Sequence, residues 1–239
     1  MITLEEEMRL VEYYAVKLIE VGKALKAPSK VICTACTYLK RFYIGKTSLE
    51  FDPQFLVLAC LYVASKVEDC YMAADELSTH VGMPSGAILK LELPLLQGLH
   101  FDLQVFHVHK ALEGIMSNFT IKDSVLSDVR AKANLLLDAF LATDAILLFT
   151  PGQIALKALI VAHPELGADP QYQKLVLGQY DDDKDGPSTT GKRMASCLDS
   201  LQEYIGKQQD GSDVATIDRK LKLLSSRLKS FVKSSRNGN

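Results

Sequence analysis

Phe51-Asp-Pro-Gln-Phe-Leu-Val-Leu-Ala-Cys-Leu-Tyr-Val-Ala-Ser-Lys66-Val-Glu-Asp69 is the stretch that decides the fold. Asp52 followed by Pro53 is a helix start signal: a carboxylate can accept from the first free N–H groups, and proline fits the first turn, where its missing N–H costs nothing. From Phe55 to Ala64 the sequence is apolar almost all the way round the helix. A helix without a polar face is a buried, central one, so other helices have to surround it. Lys66 falls at its C-terminal end, where the helix dipole favours an ammonium and where the side chain can also reach carbonyls on another protein.

Working outward, the neighbouring segments also read as helices. Thr3 with Glu6 forms a capping box ahead of the apolar positions Met8, Leu10, Val11, Tyr14, Leu18, Ile19 and Leu25. Pro28-Ser29 opens a second helix through Val31, Ile32, Ala35, Cys36, Leu39 and Phe42 to Gly45. A short helix over Ala73–Val81 and a long one over Pro84–Leu99 follow the central one. Phe51-Asp-Pro53, with Leu58, Leu61, Val63 and Ala64 after it, then recurs as Phe149-Thr-Pro151, with Leu156, Leu159, Val161 and Ala162, at a constant offset of 98 residues. Around this second copy the periodicity predicts helices over His107–Phe119, Ser124–Thr143, Asp169–Leu177 and Ser188–Ile205. The expected architecture is therefore all-α: two tandem five-helix domains, 1–102 and 103–207, then a C-terminal basic amphipathic helix and tail over 208–239. Asp102 to Val108 reads as the linker. In the second copy Pro164 stands where the first has Lys66, so the function of Lys66 belongs to the first domain.

Composition excludes several classes. The chain has 239 residues, 48% of them hydrophobic, enough for two cores. Its acidic start, Met1-Ile-Thr-Leu-Glu-Glu-Glu7, is unlike a signal peptide, and no apolar run approaches the roughly 18 residues of a membrane span. Five cysteines without a framework spacing suit free thiols in a reducing compartment. A net charge of −2 argues against a strongly basic surface for nucleic acid. Neither nucleic acid nor membrane is expected as a direct partner.

A second charge interrupts an apolar helix: Glu92, between Leu91 and Leu93. Pro94, two residues on, removes the bond to the Lys90 carbonyl and predicts a kink that would re-aim Glu92. Other motifs fall short of chemistry. Gly186-Pro-Ser-Thr-Thr-Gly191-Lys192-Arg193 mimics a phosphate loop, but Arg193 lacks the magnesium-binding hydroxyl and Asp181 to Asp185 would repel phosphate. Asp181, Asp183 and Asp185 copy the start of a calcium loop whose twelfth position is Lys192 instead of glutamate. Cys33 and Cys36 have no second pair and read as core, and the histidines read as caps and surface. No catalytic residue, metal or cofactor is expected. In the tail, Ile217, Leu221, Leu224, Leu228 and Phe231 form a stripe flanked by Arg219, Lys220, Lys222, Arg227, Lys229 and Lys233. It can pack back on the body, bind a partner or lie on a membrane surface.

Two five-helix repeats, Ala-Ser-Lys66-Val-Glu closing the third helix and Leu91-Glu92 in the fifth ahead of Leu99-His-Phe101-Asp-Leu103, resemble the cyclin box. Glu6-Glu7-Met8-Arg-Leu10 with Tyr13-Tyr14, Tyr38-Leu-Lys40-Arg41-Phe42-Tyr43, and Leu148-Phe-Thr150-Pro151-Gly-Gln153-Ile154 are similar to landmarks of the family's branch that serves the CDK-activating kinase. The resemblance extends from Thr3 to Ile205. It implies a non-catalytic regulatory subunit, in the nucleus, partnered by a cyclin-dependent kinase, by the RING-finger assembly subunit of that complex and by TFIIH. It implies further that Lys66 and Glu92 hydrogen-bond kinase main chain near the mobile C-helix, with Val67, Leu96 and Phe101 as apolar contacts beside them. Members of this branch carry an additional helix ahead of the first, so the resemblance implies a natural N-terminal piece beyond this sequence. Met8-Arg9-Leu10-Val11 is similar to the Arg-x-Leu docking groove of cell-cycle cyclins, but Glu12 stands where those keep an apolar residue. Readings left open are another transcription-type cyclin, a promoter-binding factor of the same fold, and a helical enzyme built on the Asp181–Arg193 loop.

Overall fold

The structure, a computed structural model, describes residues 2–82, 84–117, 123–165, 189–205 and 212–236. Among the described residues there are eleven helices and no strand: α1 Leu4–Ala24, α2 Ser29–Gly45, α3 Pro53–Val67, α4 Ala74–Val81, α5 Ser85–Gly98, α6 Val108–Met116, α7 Asp123–Ala142, α8 Ala145–Leu148, α9 Pro151–Ala162, α10 Thr189–Gln202 and α11 Ser212–Arg236. They form two compact units, Met1–Gln104 together with Gln208–Asn239, and Val105–Lys207.

In the first unit α3 is the axis. Asp52 accepts from the Gln54 N–H at 2.9 Å, Pro53 occupies the first turn, and every residue from Leu56 to Ser65 is buried. α1, α2 and α5 pack around it. α2 is more enclosed than its single apolar stripe predicts, for Val31 through Lys40 are all buried. The reason lies in the segment after α5: the Tyr38 hydroxyl donates to the Leu103 carbonyl at 2.6 Å and Arg41 to the Gln104 carbonyl at 3.3 Å, so extended chain covers the remaining side of α2.

α5 runs unbroken through Pro94, with Ile88 and Leu95 buried on either side of it. Its last turn approaches α2 so closely that a Cβ on Gly98 would lie 2.4 Å from the fully buried Phe42 ring. Here glycine is required by space alone.

α11 packs on α1, the first of the three destinations its stripe allows. Val214, Ile217 and Leu221 join Leu10 in a buried cluster flanked by Ile2, Tyr13, Tyr14 and Leu49. Polar contacts fix the register: Tyr14 donates to Asp218 at 3.2 Å, and Lys220 donates to both Glu6 oxygens at 2.8 Å. Leu224 is half-buried, while the side chains of Leu228 and Phe231 lie outside the described residues.

In the second unit Thr150 and Gln153 form a capping box for α9, with Pro151 behind it, and Ile154 through Leu159 are buried. α6, α7 and α10 pack against this helix. The four-residue α8 is additional to the expected order. The helix expected over 169–177 and the aspartate cluster 181–185 lie outside the described residues, whereas Thr189 to Arg193, the end of the phosphate-loop mimic, form the start of α10.

Two outcomes follow from this packing. Gly98→Ala lowers stability by about 1–3 kcal/mol through overpacking against Phe42, read as a lower denaturant midpoint. The Glu6 carboxyl is held below its ordinary range by the Lys220 hydrogen bond first and the Thr3 N–H second. A depressed carboxyl contributes above its ordinary pKa and stops contributing as pH falls through its folded value, so hydrogen-exchange protection of α11 declines on acidification below the ordinary carboxyl value of 4.5. Glu6→Gln removes that pH dependence.

Candidate functional site

The C-terminal end of α3 is fixed by several independent contacts. The Glu68 N–H bonds to the Ala64 carbonyl at 2.9 Å and the Cys70 N–H to that of Ser65 at 2.8 Å, with Asp69 between them in the left-handed region at φ 54°. That is a Schellman-type closure made without glycine. The Ser65 hydroxyl donates to the Tyr62 carbonyl at 2.7 Å and accepts from the Met72 N–H at 3.2 Å. From α2, Lys30 donates to the Glu68 carbonyl, and the Thr34 hydroxyl donates to Glu68 Oε1 at 2.6 Å. Lys66 is thus carried on a helix end tied by both backbone and side-chain hydrogen bonds.

Glu92 comes to it from α5. Lys66 Nζ lies 2.6 Å from Glu92 Oε1, both side chains being about one-third exposed or less, and 4.1 Å from the centroid of the Tyr62 ring. Burial works against the Lys66 ammonium, but its contacts with Glu92 and Tyr62, and the charge of Glu92, outweigh that and raise its pKa above the ordinary lysine value. The ammonium is therefore charged throughout the physiological range. Pro94 does not turn Glu92 away: the helix stays continuous and the carboxylate reaches Lys66.

An apolar rim surrounds the pair. Val67 is 38% exposed, Leu93 56% and Phe101 61%, with Leu96 half-buried on α5. Phe101 is held outward by backbone: its N–H bonds to the Leu96 carbonyl at 2.9 Å, and His100 and Phe101 both adopt positive φ, 53° and 58°. Successive left-handed residues with side chains cost about 1–2 kcal/mol each, a strain typical of binding sites. Of the five residues singled out in the sequence, Lys66 and Val67 end α3, Glu92 and Leu96 lie on α5 and Phe101 follows it, with Lys66 and Glu92 brought into direct contact. The sequence reading missed Tyr62, Leu93 and Tyr71. Tyr62 had a signal, its spacing of four from Lys66 on one helix; Leu93 had only its place next to Glu92.

Chemically the pair is a recogniser. An ammonium has three N–H donors and Lys66 spends one on Glu92, while the carboxylate keeps lone pairs to spare. Donors for a carbonyl and acceptors for an N–H, side by side in an apolar surround, fit a peptide main chain of any sequence.

Elsewhere, Cys33 and Cys36 are buried cysteines of α2 outside any disulfide, and no cluster of three metal-ligating side chains occurs among the described residues. One histidine departs from expectation. His109 is neither cap nor surface: its Nε2 lies 4.0 Å from Asp138 Oδ1, and both side chains are largely buried between α6 and α7. No helix among the described residues is long and apolar enough to cross a membrane.

Comparison with known proteins agrees with this arrangement. The family profile of the cyclin N-terminal domain matches residues 2–104, and that of the cyclin C-terminal domain matches residues 95–230. Cyclin-H1-1 of Arabidopsis thaliana is 32% identical over 233 residues, 92% of this chain and 68% of its own. Cyclin-H of Xenopus laevis is 32% identical over 167 residues, 65% of this chain and 52% of its own. Cyclin CCL1 of Saccharomyces cerevisiae is 27% identical over 166 residues, so this chain spans 42% of that relative's length. Among solved structures, a chain of the Chaetomium thermophilum CAK complex bound to ATP-γ-S superposes with a TM-score of 0.74 at 26% identity, covering 98% of this chain and 80% of that one. A chain of the yeast TFIIK complex (Kin28/Ccl1/Tfb3) shares the fold at a TM-score of 0.71 and 22% identity, with 85% of this chain and 88% of that one covered. Two helical units matched in order by both cyclin domain profiles, and a cyclin H relative aligned along nine-tenths of the sequence, show that the chain belongs to the cyclin family.

Proposed function

We propose that this chain is the non-catalytic activating subunit of a cyclin-dependent kinase of the CDK-activating kinase type, acting through Lys66 and Glu92. The observation that carries the reading is their juxtaposition at 2.6 Å, about one-third exposed, beside exposed apolar side chains on the first unit. The partners are the kinase, a RING-finger assembly subunit and TFIIH, and the place of action is the nucleus. Support comes from the complexes to which the structural relatives belong, CAK and TFIIK.

Lys66 donates to a kinase carbonyl and Glu92 accepts a kinase N–H near the mobile C-helix. Val67, Leu96 and Phe101 pack beside them, so the C-helix is held inward and the kinase's own Lys–Glu pair is completed. Magnitudes divide the labour. Moving a two-state kinase from 1:99 to 99:1 takes about 5.5 kcal/mol of differential affinity. A part-exposed ion pair is worth about 0–1 kcal/mol, whereas each large apolar side chain fully buried contributes about 1.5–3 kcal/mol. Driving force comes from the rim, and the charged pair sets register and orientation.

Lys66→Ala combined with Glu92→Ala leaves stability within about 1 kcal/mol of the parent, because the pair is part-exposed. It weakens kinase association and peptide phosphorylation by roughly tenfold or more, because charges enclosed in an interface cost more to lose than surface ones. Co-purification with a CAK-type kinase, an activity assay and a denaturant titration measure all three. Undiminished activation by the folded variant overturns the proposal. Phe101→Ala, which removes rim area, weakens association without lowering stability.

A further inference from the structure

The geometry points to Tyr62 as a positioning residue that holds the Lys66 ammonium ready for its partner, an inference that rests on the proposed role of Lys66. Tyr62 precedes Lys66 by four residues on α3, so the two side chains share one face of the helix. Its ring is 6% exposed, and the Lys66 Nζ sits 4.1 Å from the ring centroid. The negative face of an aromatic ring attracts a cation at that distance. On the outer side Tyr71, 69% exposed, meets the Tyr62 ring edge-on with centroids 6.5 Å apart. The ammonium is consequently held between a carboxylate at 2.6 Å and a braced aromatic face.

This arrangement answers a specific need. A free lysine side chain has more rotamer freedom to lose on binding than almost any other, and a partner that must immobilise it gains correspondingly less. Glu92 alone does not solve the problem, because in the proposed complex its carboxylate is shared with an N–H of the partner. Tyr62 makes no such competing commitment: its face is directed at Lys66 whether or not the partner is bound. An aliphatic side chain at this position would fill the core and leave the ammonium without its second contact.

A substitution series in the full chain separates these roles. Tyr62→Phe keeps the ring and removes the hydroxyl; Tyr62→Leu and Tyr62→Met keep apolar volume and remove the ring. In the free protein, NMR of the Lys66 side chain shows an upfield ring-current shift in the parent and in Tyr62→Phe that is absent in Tyr62→Leu. Affinity for a CAK-type kinase stays within about twofold for Tyr62→Phe and falls roughly three- to tenfold for Tyr62→Leu, with thermal unfolding confirming the fold. Should Tyr62→Leu fail to fold, Tyr62→Met supplies the same comparison. Absence of the ring-current shift in the parent overturns the inference. So does parent-like affinity of the Leu or Met variant when Lys66→Ala binds weakly, and in that case the kinase-binding role of Lys66 survives. If Lys66→Ala itself binds like the parent, the proposed function fails, and with it the positioning role inferred for Tyr62.

Discussion

Burial of α3 along its middle, from Leu56 to Ser65, is the constraint on which the first unit depends. Ten consecutive enclosed residues, Leu56 to Ser65, leave no room for a charge until the helix emerges at Lys66. The site is where it is because that is the first position at which the axis meets solvent. Surrounding helices must then come close, and the last turn of α5 does so by presenting Gly98 to the Phe42 ring. Close approach at that turn, together with burial of Leu95, brings the preceding turn alongside the end of α3, and with it Glu92. Core packing and site assembly are the same event.

Pro94 shows how a costly residue is accommodated. An interior proline costs about 3 kcal/mol and frees the carbonyl of the residue four before it. That residue is Lys90, on the exposed face of α5, where water can satisfy the freed carbonyl. Ile88 and Leu95, both fully buried, anchor the helix on either side, so the tertiary packing overrides the local preference for a kink.

Legibility from sequence followed the range of the forces involved. The axial helices α3 and α9, with Asp52-Pro53 and Thr150-Pro151 ahead of them, were written in local signals, and so was the capping box of Thr3 and Glu6. Lys66 and Glu92 stood out because charge in an apolar pattern is costly. Their mutual contact was not legible, since 26 residues and a helix packing angle separate them. The full enclosure of α2 was hidden for a similar reason: it depends on Leu103 and Gln104, far along the chain. His109 read as surface because its companion Asp138 lies on the next helix. Phe101 was placed at the site by resemblance, but its outward presentation rests on backbone torsions that no residue preference encodes.

The two repeats differ in how the axial helix ends. α9 starts with a proline in its first turn as α3 does, adds a capping box, and is buried from Ile154 to Leu159. It differs at its end. α3 continues to Lys66 and Val67 and then closes through Asp69 and Cys70, with the carbonyl and carboxylate of Glu68 tied to α2. α9 stops at Ala162, and exposed Pro164 stands where an ammonium would be needed. Proline offers no N–H and no charge, and it prevents a further turn that could carry one. The second unit thus retains a buried axial helix without a charged end, so the recognition proposed for Lys66 belongs to the first unit, where the axis terminates in an ammonium.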